Sequence, residues 1–430
     1  VAPAPTAAIA PRAASGRSLA DPVAERRAAA LRFTWMIMAA SLLLQRFGLP
    51  LGTSGFDIVG PVGVLIAMWA VFRGTLALNR FRTIMFLFLA LCSVAGLAWH
   101  AVAPSQGVSI SGLPSLPSLL QFLMVTSFAV LSFAEAVDER AFFRIVTGWF
   151  AFIAVAGILE FAAQFAGLDL FAFSSFLPAR VLFEAGYNLR IPLGVGHALK
   201  SNGFFLLEPS MMSQFMALGL IIEILAFRRP LFLALFVVGM LLSFSGTGWI
   251  VLASFIVAAS LSLGWRGVGL AAATVVLLAL VLTVGWFLFP AVAHALADRA
   301  NEFSQPGTSG HDRFVTPFWV LSDMLSAHPS AAFVGLGSGI SDHLSLPYEY
   351  DTNTPIKTVL ELGFPALAAY VLVLLGGRKS GLQASLVVPC AVLLFLTGSY
   401  QQFAPMVFPV LLLIGVARLD PAAPAATAAA

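Results

Sequence analysis

Apolar runs of roughly membrane-spanning length recur along the chain, parted by short polar breaks. A bilayer crossing takes about 20 such residues. The runs predict helices at 31–49, 55–72, 83–99, 118–137, 145–167, 207–227, 230–244, 247–264, 268–289, 356–375, 382–398 and 404–417. Those at 230–244 and 404–417 are short. Two interruptions differ from the rest: the polar stretches 168–208 and 290–357 are long enough to fold on their own. The pattern predicts an all-α polytopic membrane protein with about twelve transmembrane helices. It forms one integral domain, 31–418, with two long structured loops at 168–206 and 290–355. The flanking tails 1–30 and 419–430 are of low complexity, rich in Ala and Pro, and read as disordered. No short apolar stretch with a cleavage site precedes the first span, so no cleaved leader is expected.

Composition agrees with this pattern. The chain is 60% hydrophobic and 10% charged, where a soluble domain carries about 25% charge. The basic residues set the orientation. With the N-terminus inside, Arg12, Arg17, Arg26, Arg27, Arg32, Arg73, Arg80, Arg82, Arg140, Arg144, Arg228, Arg229, Arg266, Arg378, Lys379 and Arg418 fall on the inner side. These are 16 of the 23 Lys and Arg. Both termini are then cytoplasmic. The net charge of +3 reflects topology and gives no reason to expect a nucleic-acid partner. Cys92 and Cys390 both fall inside spans, which suggests neither a disulfide framework nor a metal site.

The titratable groups are one-sided. His100, His197, His294, His311, His328 and His343 all fall on the outer face, five of them in the two long stretches. The first stretch holds Arg180, Glu184, Arg190, His197 and Lys200, with Glu208 at the mouth of the next span. A carboxylate there must keep water or a partner, because lipid makes it costly. Glu208 therefore either pairs with a loop arginine or caps the helix, or it faces a reaction chamber. The second stretch holds His311, Asp312, Arg313, Asp323, His328, Asp342, His343, Glu349, Asp351 and Lys357, among others. Within it Phe314, Phe318, Leu321 and Leu325 recur at helical spacing beside Trp319, which predicts a helix lying in the membrane interface. Gly335-Leu-Gly-Ser-Gly339 reads as a turn, since a phosphate-binding fingerprint would need a strand before it and a helix after it. The histidines lack the ligand spacing of a zinc site, so no metal is expected.

Fixed cations above a membrane cavity suit an anionic lipid headgroup. Arginine binds phosphate with a bidentate fork and lysine with a compact charge. A departing diphosphate would be stabilised by such cations, and an acid or histidine would take a hydroxyl proton. The acids inside the spans are Glu135, Glu160, Glu223 and Glu361. Of these only Glu160 is deep, whereas a proton-coupled transporter is expected to carry paired groups near the midplane and repeated halves.

Three stretches carry a resemblance. They are Lys200-Ser-Asn-Gly203-Phe with Glu208-Pro209-Ser210; Ser245-Gly-Thr-Gly-Trp249; and Arg313, Trp319, Gly335-Leu-Gly337 and Asn353 with Glu361-Leu-Gly363. In order and placement they resemble the O-antigen ligase and Wzy-type polysaccharide polymerase superfamily of bacterial membrane glycosyltransferases, over roughly 190–375. The resemblance implies a GT-C-like, cofactor-free and metal-independent enzyme of the bacterial inner membrane. Its donor and acceptor would be undecaprenyl-diphosphate-linked oligosaccharides, used on the periplasmic side. A chain-length regulator is a partner it leaves open. Arg190, Lys200, Arg313 and Asn353 would bind substrate, and Glu208, Arg313 and His311 would serve catalysis. Arg190 and Arg313 have an alternative role as loop anchors. Where ligase-like members carry His-Asn, this chain has Thr352-Asn353. That favours a polymerase over a lipid A-core ligase and leaves the general base open among Glu208, His311 and His343. The alternatives are a ligase-type glycan transferase and a lipid-linked oligosaccharide flippase or other transporter.

Overall fold

The computed structural model describes residues 22–51, 54–102, 114–168, 170–171, 173–175, 177–183, 191–192, 198–262, 264–288, 304–348, 350–376 and 382–416. Arg190, His197 and His294 lie outside the described residues, as do most of the expected tails. The chain is mostly helical. Among the described residues nine helices come first: α1 (Pro22–Leu43), α2 (Val59–Phe72), α3 (Arg80–Val102), α4 (Leu116–Ser127), α5 (Glu139–Ala163), α6 (Pro209–Ile222), α7 (Pro230–Ser243), α8 (Thr247–Ser262) and α9 (Gly264–Leu288). The second long stretch folds as α10 (Ser309–Phe314), α11 (Thr316–Ala327) and α12 (Ala331–Val334). The last three are α13 (Thr354–Leu375), α14 (Leu382–Leu396) and α15 (Ala404–Val416).

Each expected span overlaps a helix, but the 118–137 run leaves its helix at Ser127 and includes a short strand, and the 31–49 run leaves its helix at Leu43. Four segments, Arg80–Trp99, Glu139–Ala166, Pro209–Phe227 and Thr354–Leu375, are long and apolar enough to cross a membrane. Exposed apolar side chains such as Leu87 and Leu91 on α3, and Val276, Leu280 and Phe287 on α9, face outward from the bundle. Extended apolar surface of this kind marks an interaction site, here of a kind that suits lipid.

Two expectations are corrected. The N-terminal tail does not run to residue 30: α1 begins at Pro22, and its first turns are tied down by the Arg26–Glu135 pair at 3.1 Å. The fold is also not wholly helical. β1 (Gly48–Leu51) pairs with β2 (Ser54–Asp57), and β3 (Leu76–Leu78) with β4 (Leu131–Phe133), both antiparallel. These short ladders satisfy backbone groups of the connections between helices, which bundle packing would otherwise leave without partners.

The centre of the bundle is α6. Every residue from Pro209 to Ile222 is buried, polar ones included. Pro209 opens the helix at its first position, where its missing N–H costs nothing. Ser213 and Gln214 then find partners in other elements. The Ser213 hydroxyl donates to the Ser245 carbonyl at 3.1 Å, and the Gln214 amide to the Tyr400 hydroxyl at 2.9 Å.

Glu160, the deep acid, is spent on the fold. Its Oε2 accepts from the Ser201 hydroxyl (2.7 Å) and from the backbone N–H of Asn202 (3.1 Å) and Phe204 (3.2 Å). Both Gly203 and Phe204 sit at positive φ, +78° and +62°. The carboxylate holds this tight loop against α5 and so aims the chain at Glu208.

α13 carries a break that shapes the rest. Gly363 is non-helical (φ 84°, ψ 169°) and Pro365 follows it. Pro365 has no N–H for the Glu361 carbonyl four residues back. The turn after α12 fills the gap: Leu336 N–H donates to the Leu360 carbonyl (2.6 Å) and Gly337 N–H to the Glu361 carbonyl (3.0 Å). Gly335 lies so close that a Cβ there would overlap the Glu361 carbonyl. A small core of Val320, Met324, Ala331, Leu336, Ile340, Leu344, Ile356 and Leu360 completes the docking. The buried face of α11 is thus Val320 and Met324 with Leu321 and Leu325 beside them, while Phe318 and Trp319 remain exposed.

Candidate active site

A cleft of about 1140 Å³ opens at one end of the bundle. Its walls come from residues in or beside four of the six connections that charge bias assigns to the outer face. They include Ser118 and Gln121 of α4, Leu207 and Glu208 before α6, Arg313, Asp342 and Asp351 of the long loop, and Tyr400 between α14 and α15.

Glu208 occupies the N-cap position of α6 in extended conformation (φ −133°, ψ 151°). Its carboxylate makes no cap bond; Oε2 accepts from the Ser210 hydroxyl at 2.7 Å and lies 3.7 Å from Arg313 Nη2. Arg313, in the last turn of α10, donates from Nε to Asp351 Oδ2 at 3.0 Å. Burial alone would lower the Arg313 pKa, but the charges of Glu208 and Asp351 outweigh it and raise the value, so the cation is fixed. Tyr400 stands nearby, its phenol pushed up to about 12 chiefly by burial, and it stays neutral at ordinary pH.

A second cation lies on the cleft floor. Lys357 Nζ sits 3.1 Å from Asp342 Oδ1 and 3.8 Å from Glu361 Oε1, its partner one turn on along α13. Glu361 is fully buried and accepts from the Ser341 hydroxyl at 2.6 Å. Ser341 is held there by the docking of the 335–339 turn into the α13 break. The two poles are joined through consecutive residues: Asp351 holds Arg313, and the Tyr350 hydroxyl donates to the Ser341 carbonyl at 2.7 Å.

Of the residues singled out from sequence, Glu208 and Arg313 come together in the cleft. His343, one of the three candidates for the base, also lines it. Lys200, His311 and Asn353 do not. His311 is buried beside the cleft wall, its Nδ1 3.1 Å from the Thr316 hydroxyl and its ring edge against Trp319. Asn353 caps α13, its side chain accepting from Ile356 N–H at 3.1 Å. Lys200 lies on a short backbone pairing in which its N–H donates to the Ile191 carbonyl. Asp342, Asp351, Lys357 and Tyr400 were not singled out. For Lys357 a signal existed, a basic residue with an acid four positions on at the head of a span. Among the described residues no three His, Cys, Asp or Glu side chains converge as metal ligands would.

The three stretches that carry the family resemblance also meet. The Thr247 hydroxyl donates to the Ser210 carbonyl at 3.2 Å, linking the Ser245–Trp249 turn to the Glu208-Pro-Ser run. Gly337 joins Glu361, and Arg313 joins Glu208. No protein-family model matches the chain, and no curated protein matches it.

Proposed function

We propose that the protein is a polysaccharide polymerase of the O-antigen ligase and Wzy-type superfamily, with twelve helices crossing the bacterial inner membrane and both termini cytoplasmic. It joins undecaprenyl-diphosphate-linked repeat units on the periplasmic face. The observation that carries this reading is the Arg313–Glu208–Asp351 group at the wall of a large polar cleft, over a helix bundle whose outer surface is apolar. A lipid diphosphate needs such a border, with a cation at headgroup level and apolar helices below.

Arg313 enters the reaction already paired. Its contact with Glu208 (3.7 Å) is longer than that with Asp351 (3.0 Å), so an arriving phosphate oxygen exchanges for Glu208 first. Asp351 keeps the guanidinium aimed. As the bond between the anomeric carbon and the diphosphate breaks, negative charge grows on the departing oxygen, and a fixed cation stabilises that state more than the ground state.

Deletion of the gene tests this reading. A polymerase deletion keeps single-repeat glycan on the outer face and loses long polymer. Repeat units trapped on the cytoplasmic face would instead identify a flippase and overturn the proposal.

A further inference from the structure

We infer that Asp342 is the carboxylate that activates the acceptor hydroxyl, with Lys357, Glu361 and Ser341 as its positioning residues. This rests on the transferase reading above. In a single displacement the acceptor oxygen enters the anomeric carbon from the side opposite the departing diphosphate. The base then stands across the sugar ring from the leaving group, several ångströms away, as it does in inverting sugar chemistry. Glu208 touches the cation that holds the diphosphate and so lies on the leaving-group side. The base has to come from another wall of the same cleft.

Asp342 meets that requirement. It lines the cleft, and its contact is with Lys357 at the second pole rather than with Arg313. Its side chain is 64% exposed, against 23% for Glu208, so a sugar hydroxyl and later a water can reach it. The supports behind it are buried. Lys357 is clamped between Asp342 and Glu361, and Glu361 takes the Ser341 hydroxyl. A buried acid within a membrane helix calls for a partner and a role, and this arrangement supplies both.

The step balances as follows. The acceptor hydroxyl gives its proton to the Asp342 carboxylate, and its oxygen bonds to the anomeric carbon of the donor sugar. The bond from that carbon to the diphosphate oxygen breaks, and its electron pair leaves on the diphosphate beside Arg313. Asp342 then releases the proton to water in the cleft.

The test uses the full chain in lipid vesicles, supplied with the lipid-linked glycan that a deletion strain accumulates. Polymer formation is followed on gels for wild type, Asp342→Asn, Asp342→Glu and Glu208→Gln, and binding is measured with undecaprenyl diphosphate. Asp342→Asn is expected to lower turnover at least about a hundredfold with undecaprenyl diphosphate binding unchanged. Asp342→Glu restores part of the rate. Glu208→Gln is expected to alter undecaprenyl diphosphate affinity more than the turnover of bound donor. An Asp342→Asn protein that polymerises at the wild-type rate overturns this assignment and leaves the transferase reading standing. A wild-type protein that forms no glycosidic bond overturns both.

Discussion

The two ends of the helix bundle use the same residue types to opposite effect. At the cleft end, charged side chains surround about 1140 Å³ of open volume; at the other end, a void of about 20 Å³ lies beside Arg82. At the closed end three arginines have partners of their own. Arg229 pairs with the buried Glu223, donates to the Thr147 hydroxyl and lies over the rings of Phe227 and Phe232. Arg82 donates to the Ala129 carbonyl, and Arg26 pairs with Glu135. At the open end the two cations that line the cleft are each bracketed by two carboxylates. Arg313 lies between Glu208 and Asp351, and Lys357 between Asp342 and Glu361. A cation with one acid is a fastening. A cation with two, in reach of solvent, has one to exchange.

Substitutions at the two ends should separate these roles. The largest effect is expected from Arg313→Ala. Transfer should fall about 10²–10³-fold, as for loss of a group that stabilises developing charge, with the protein still in the membrane at normal abundance. Normal polymer length in that variant would remove Arg313 from the site. Arg229→Ala should do the reverse. It strands Glu223 in the interior, and because Arg229 is itself partly exposed the expected cost is about 2–3 kcal/mol of stability. A lower melting temperature in detergent, with unchanged turnover per folded molecule, is the result to look for. Arg26→Ala should change least. Its pair is half in solvent, so less than about 1 kcal/mol is at stake and polymer length should not move. If Arg26→Ala and Arg313→Ala prove equally harmful to transfer, the contrast between the ends collapses.

Much of the framework was legible from hydropathy. Each apolar run overlaps a helix, because backbone groups in an apolar setting are satisfied most simply within one, although the 118–137 run also holds the strand β4. The gathering of polar groups at one end was legible too, and the cost of a carboxylate at a span's lip left Glu208 open to a loop arginine, without saying which one. What sequence spacing did not convey was which polar side chains the fold would use up. Asn353 became a helix cap and His311 a wall residue, because local backbone and packing needs claimed them first. Glu160 was recognised as deep, but its partners are N–H groups of its own chain some forty residues on, which no periodicity reports. Lys357, Asp342 and Ser341 escaped for a related reason. They meet only because the 335–339 turn docks into the break in α13, a contact made by backbone atoms that any sequence carries.

That break has a mechanical consequence. The cleft floor hangs from α13 by the two hydrogen bonds from Leu336 and Gly337, made to carbonyls the helix gave up at Gly363 and Pro365. A third bond, from the Ser115 N–H to the Ser338 carbonyl (2.7 Å), ties the same floor to the start of α4. A tilt of the upper half of α13 carries Ser341 and Asp342 with it. The depth of the cleft follows how α13 leans relative to α4.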